Sequence, residues 1–303
     1  MPRLDPESRL TPASRKSPEA EHLHRLRIAY DRRRTAHHVA SRYSAALLHG
    51  LPLYRIPRLP HFSSDNFPSS TRSSFGINHK TTFEPEDIVE VSGFRCTSLA
   101  RTLFDLARFA SVEDALVALD FALHREISIQ SVESLPAWDS TGKQSLPDAA
   151  PILTSQLLKR VANLRAENPR ARGVKRARFV SEFASPAAES ALESISRLRF
   201  HQLELPEPDL QFPVLGPQGQ VFRLDFRFAA LGFFGECDGR AKYGHTPEEV
   251  AEALYREKLR EDWIRAQTGL KCVRWGWSAV ASPEALAAVL RNAHIPLRHR
   301  PGL

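Results

Sequence analysis

With 303 residues, 34.1 kDa, 42% hydrophobic and 25% charged residues, the chain can fill one large core or two ordinary ones, which excludes a fibrous or collagen-like assembly. Its three cysteines, Cys96, Cys237 and Cys272, stand far apart without C-x-x-C spacing. They indicate neither a disulfide framework nor a zinc knuckle, and a reducing cytoplasm is the expected setting. The formal charge of +7 favours a polyanionic partner, because clustered Lys and Arg gain affinity by displacing phosphate counterions.

No stretch approaches the roughly 18 consecutive apolar residues of a membrane helix. The polar residues 1–20 read as a disordered tail, and residues 21–127 as a smaller mixed α/β domain. Within it, "AEHLHRLRIAYDRRR" and "VASRYSAALLHGL" have helical periods. The segments "SSFGINHK", "IVEV" and "FRCTS" read as strands. Two stronger helices follow in "TSLARTLFDLARF" and "SVEDALVALDFALHRE", each opened by a Thr or Ser cap. The adjacent His37 and His38 read as structural or exposed rather than as a metal pair.

Residues 128–151 mix Ser, Pro, Asp and Gly without period and read as a linker. The next run is strongly basic and helical at both ends around "NPRARG", so residues 128–180 are expected to be a linker with basic helices. Those cations suit either a solvated face or contact with phosphates.

From residue 181 to 295 the signals become regular, and 296–303 read as a tail. Ser185 and Pro186 resemble an N-cap and first helical residue, with Glu189 and Glu193 one turn apart on the helix that follows. "DLQFPVLGPQGQVFRLDFRF" reads as two strands around a Gly-Pro-Gln-Gly turn, and "LGFFGECDG" as a third. Thr246, Pro247 and Glu248 open a helix that stops at Gly269; "KCVRWGW" is a strand and "SPEALAAVLRNA" a capped helix. The expected order is α, β, β, β, α, β, α.

Alternation in a strand puts Glu236 and Asp238 on one face and Cys237 on the other, toward the core. If the strand carrying Asp225 pairs with this one, three carboxylates meet at one edge. Crowded like charges call for a cation, and a hard divalent ion held by carboxylates fits that demand. The competing reading is a surface hairpin whose acids face solvent. On the last strand, Trp275 and Trp277 read as core residues. The charges of "EKLRED" (Lys258, Arg260, Asp262) suit either a solvated helix face or a cation near a phosphate.

The motifs "ESALES", "RLDF", "GECDGRAKYG", "EKLRED" and "CVRWGW" resemble the very-short-patch-repair-like endonuclease domain of the PD-(D/E)XK superfamily, often found at the C-terminus of actinobacterial proteins. "SAALLHGLPL" and "GFRCTSLARTLFDLA" resemble a segment related to abortive-infection antitoxins of type IV toxin-antitoxin systems. The first resemblance implies a restriction-endonuclease-like α/β core and a metal-dependent DNA endonuclease using magnesium or manganese, in a defence or toxin-antitoxin context. It implies Asp225 and Glu236 as metal ligands, joined by Asp238 and by Glu189 or Glu193, either of which could instead pair with Arg197. Asp238 stands where the broader superfamily has a lysine that steadies the attacking water. Lys242 or His245 could supply the missing positive charge. The alternative is a catalytically inactive nucleic-acid-binding or antitoxin-type regulatory protein.

Overall fold

The computed structural model describes residues 17–32, 38–130, 152–238 and 247–297. The described residues make a mixed α/β protein of two compact units, one within residues 17–127 and 152–186 and the other within residues 187–297.

The first unit opens with α1 (Pro18–Arg32), whose early acids Glu19 and Glu21 and terminal Arg32 complement the helix dipole. It buries His22, Leu26 and Ala29, spaced at four and then three residues. Next come β1 (Val39–Ala40), α2 (Arg42–Leu48), β2 (His61–Ser64), β3 (Thr71–Ser73), β4 (Gly76–Lys80), β5 (Ile88–Val91) and β6 (Phe94–Thr97). The strands form one sheet in the order β3-β4-β2-β1-β6-β5. Sequence reading foresaw β4, β5 and β6 but not β1, β2 and β3. "VASRYSAALLHGL" divides into a strand and a helix, with Arg42 at the junction in the left-handed region at φ 48°.

Four further helices complete this unit: α3 (Leu99–Phe109), α4 (Val112–Gln130), α5 (Ile152–Glu167) and α6 (Val174–Phe183). The basic run around "NPRARG" is α5 and α6, and both are amphipathic. Leu153, Leu157, Val161, Val174, Ala177 and Val180 join Leu103, Leu106 and Leu119 in one core. Arg165, Lys175 and Arg178 stay exposed. His38 lies beside Phe67 with ring centroids 5.1 Å apart, and His37 lies outside the described residues.

The second unit follows the expected order: α7 (Ala191–Gln202), β7 (Asp209–Leu215), β8 (Val221–Phe228), β9 (Phe233–Cys237), α8 (Pro247–Thr268), β10 (Lys271–Trp275) and α9 (Pro283–Asn292). The strands β7, β8 and β9 are an antiparallel meander, and β10 runs parallel to β9 at the edge of a β10-β9-β8-β7 sheet. A parallel partner needs a long crossover, which α8 supplies. Phe200 of α7 meets Phe226, Phe228 and Trp275 edge-on, with centroids 4.9 to 5.7 Å apart. A second apolar cluster joins Val214, Leu224 and Phe234 of the sheet to Ile264 of α8.

Two expectations are corrected here. Helix α7 begins at Ala191, not after Ser185, because Ser190 is the residue whose side chain accepts the Glu193 amide. Ser190 and Glu193 have the three-residue spacing of a capping box, which Ser185 and Glu189 lack. Strand β10 ends at Trp275, so Trp275 is core while Trp277 lies past the strand and is exposed.

Candidate functional site

The site grows from the register of β8 on β9. Phe228 faces Phe233 and Phe226 faces Gly235, so one further step brings Asp225 level with Glu236. At that step a side chain enters the hydrogen-bond pattern: the Cys237 amide donates to Asp225 Oδ2 at 2.7 Å. Cys237 itself points into the core, where burial pushes its thiol pKa up.

Glu193, from the first turn of α7, is the helical acid that turns inward. Its carboxylate accepts from the Ser190 hydroxyl at 2.7 Å, the Glu189 amide at 3.0 Å and the Gln211 side-chain amide at 3.1 Å. Glu189 is exposed and precedes the first residue of α7. Arg197 is buried on the same helix, and Glu193 is held by the three donors just named. Gln211, buried within β7, has φ 51°, a left-handed conformation uncommon for a non-glycine residue.

Burial pushes Glu193 up to about 7, and the nearby charges of Asp225 and Glu189 push the same way against the Ser190 and Glu189 hydrogen bonds. Glu236, 6% exposed, is also raised to about 7 by burial; Arg260 opposes this and Asp225 adds to it. Asp225 therefore lies within electrostatic reach of both glutamates. Three acids of α7, β8 and β9 share one excess of negative charge.

Cations from α8 and β10 answer that excess. Arg260 Nη2 donates to Glu236 Oε1 at 3.2 Å and to the Arg223 carbonyl at 2.7 Å, while its Nη1 donates to Glu257 at 2.9 Å. Arg274 donates to Glu257 at 2.6 Å, Glu261 at 3.0 Å and Asp238 at 3.1 Å. Asp238, just past the end of β9, is thus paired with Arg274. Of "EKLRED", Arg260 reaches the acids whereas Lys258 and Asp262 are exposed. Lys242 and His245 lie outside the described residues.

Oxygen donors, negative charge and partial burial are the chemistry that suits a hard divalent cation, and Glu193, Asp225 and Glu236 supply donors of that type. Among the described residues, no three His, Cys, Asp or Glu side chains are arranged to hold a metal ion as they stand. The Cys237 amide engages Asp225 Oδ2, and Arg260 engages Glu236 Oε1.

Sequence reasoning missed Gln211, Glu257, Glu261 and Arg274. The pairings themselves carried no local signal, since the arginines meet the acids across 24 residues for Arg260–Glu236 and 36 for Arg274–Asp238.

The chain is similar to two proteins of Mycobacterium tuberculosis, the uncharacterized protein MT2308 of strain CDC 1551 / Oshkosh and the uncharacterized protein Rv2248 of strain ATCC 25618 / H37Rv. Each is 33% identical over 101 residues, which cover 33% of this chain and 37% of the relative. The matched part thus spans little more than a third of those relatives. No protein-family model matches the chain. No solved structure matches it. Among the described residues, no helix is long and apolar enough to cross a membrane.

Proposed function

We propose that the second unit is a magnesium- or manganese-dependent phosphodiesterase that hydrolyses DNA. The observation that supports this reading is that the buried Glu193 and Glu236, on α7 and β9, both feel the charge of Asp225 on β8, in a protein with a net charge of +7. These three side chains would hold the ion, which supplies an activated water and stabilises phosphoryl charge. Glu193 is oriented by Ser190 and Gln211, and Asp225 by the Cys237 amide. Arg260 and Arg274 bring positive charge to the same edge, where a scissile phosphate would lie. Incubation of the purified chain with plasmid and magnesium should give cleavage, abolished in Asp225→Ala and Glu236→Ala; an inactive wild type across several substrates overturns the reading.

A second reading, a nucleic-acid-binding regulatory module that does not cut, is favoured by one observation. Asp238 stands where the resembled superfamily carries a lysine, and it pairs with Arg274. Calorimetry separates the two: a non-cutting module binds duplex with steep salt dependence and shows no magnesium binding that requires Asp225 and Glu236. In either case a defence or toxin-antitoxin setting, with a protein partner for the first unit, belongs to the same proposal.

A further inference from the structure

The basic run that leads into α6 meets the end of α3 at a corner of the first unit where arginines gather. We propose that Arg42, Arg108 and Arg172 form a site for a phosphate group, borne by a nucleic-acid backbone or by a small phosphorylated compound. The site lies wholly in the first unit, so the inference does not depend on the phosphodiesterase reading of the second.

Backbone and side chains build the corner together. Gly173, at φ 83°, lets the turn before α6 press against the end of α3, since a Cβ there would clash with the Arg108 carbonyl oxygen. Arg108 Nε and Nη2 donate to the Arg172 carbonyl at 3.2 and 3.1 Å, and Arg176 Nη2 donates to the Arg108 carbonyl. These bonds fix the Arg172 backbone beside Arg108 and leave Arg108 Nη1 without a hydrogen bond among the described residues. Arg42 comes from the start of α2 and lies over the Phe109 ring at 4.2 Å, and Arg108 lies over the same ring at 4.5 Å.

What the corner lacks is acceptors. Among the described residues, the guanidinium of Arg42 makes no hydrogen bond and no ion pair, and neither Arg108 nor Arg172 is paired with a carboxylate. Asp105 is the acid whose charge reaches both Arg42 and Arg108, but its carboxylate is engaged by Arg101 Nε at 3.0 Å. Arg176 Nε is buried with no hydrogen-bond partner. Burial lowers the Arg42 pKa to about 10; Asp105 opposes that fall, and the charges of Arg108 and Arg172 add to it. Arg42 also keeps a left-handed backbone at φ 48°, a strained conformation of the kind that concentrates at ligand-binding positions. A bound anion relieves the repulsion among the three cations, and phosphate presents oxygens that several guanidinium forks can share. Arg42 and Arg108 are half-buried, which limits screening by water, and the exposed Arg172 leaves the corner open to a ligand.

The test is calorimetric titration of pyrophosphate, and separately of a short DNA duplex without added metal, into the whole chain. Arg42→Asn removes the charge and tolerates the left-handed backbone, while Arg172→Gln removes an exposed cation and keeps the carbonyl that anchors Arg108. Both variants are first confirmed folded by circular dichroism. Each should weaken phosphate binding by at least about 10-fold, the loss expected for one charge-assisted hydrogen bond. If duplex binding weakens in both variants and its salt slope falls by about 1 in each, the phosphate belongs to a nucleic-acid backbone. If pyrophosphate binding alone responds, the ligand is a small phosphorylated compound. If wild type binds neither probe, or if both variants bind each probe as tightly as wild type does, the site is wrong. Plasmid cleavage by the second unit is a separate measurement and survives that result.

Discussion

Trp275 lies across Gly235 so closely that a Cβ on the glycine would come within 2.1 Å of the indole Cη2. The ring cannot give way easily: its Nε1 donates to Ser196 Oγ at 2.8 Å, and its faces and edges meet Phe226 and Phe200. Gly235 therefore lets β9 carry Glu236 past the bulkiest side chain of the core. Gly235→Ala should destabilise the second unit by roughly 1–3 kcal/mol or more through overpacking. A urea midpoint unchanged from wild type would show that the sheet absorbs the methyl.

In the first unit, Arg101 is the hub of a buried ion cluster. It donates to Asp87 at 2.6 Å, Asp105 at 3.0 Å, Thr81 Oγ1 at 3.0 Å and the Thr82 carbonyl at 3.2 Å. Asp87, 1% exposed, has Arg160 as a second partner at 2.7 Å. Breaking a buried pair leaves the other charge uncompensated, so Arg101→Met should cost about 3–5 kcal/mol. Chemical denaturation of the variant, followed by circular dichroism, gives that number directly.

The second unit was legible where local chemistry decides structure. The Gly-Pro-Gln-Gly turn, Ser282 before Pro283 and Gly269 at φ 67° each mark an element end without help from the rest of the fold. The start of α7 was misread because Ser185-Pro186 imitates a cap, while Ser190 and Glu193 meet the spacing that closes one. The strands β1 to β3, two to four residues each, are too short for a period to show, and their neighbours in the sheet hold them. At the site, strand alternation exposed Asp225 and Glu236. Gln211 and Arg274 were hidden, because their partners come from distant elements and follow no periodicity along the chain.

Asp225 influences both buried glutamates through its charge, and this can be measured without any ligand. Its carboxylate raises Glu193 and Glu236, each already lifted by burial. Asp225→Asn keeps an acceptor for the Cys237 amide and removes the charge. Both glutamates should then titrate at lower pH than in wild type, followed through their side-chain carboxyl carbon shifts in NMR. Unmoved titrations would mean that the three acids do not form one electrostatic unit.

Glu193 and Glu236 also predict how stability changes with pH. Each has an ordinary value of 4.5 and a folded-state value of about 7. Folding therefore favours their protonated forms, and the folded chain binds more protons than the unfolded chain between those two values. Their contribution to stability is fully present below 4.5, declines as pH rises toward 7, and is lost above it. Glu236→Gln retains an oxygen acceptor for Arg260 and removes the titration. Its stability should fall less steeply than that of wild type between pH 5 and pH 7, by on the order of 1–3 kcal/mol across the interval. Urea midpoints at closely spaced pH values give both slopes, and parallel curves would show that Glu236 is already charged when the protein is folded. Magnesium should oppose the same decline, because an ion held by Glu236 favours the deprotonated carboxylate that burial disfavours. The stabilisation by magnesium should accordingly grow from pH 5 to pH 8 in wild type and vanish in Asp225→Ala.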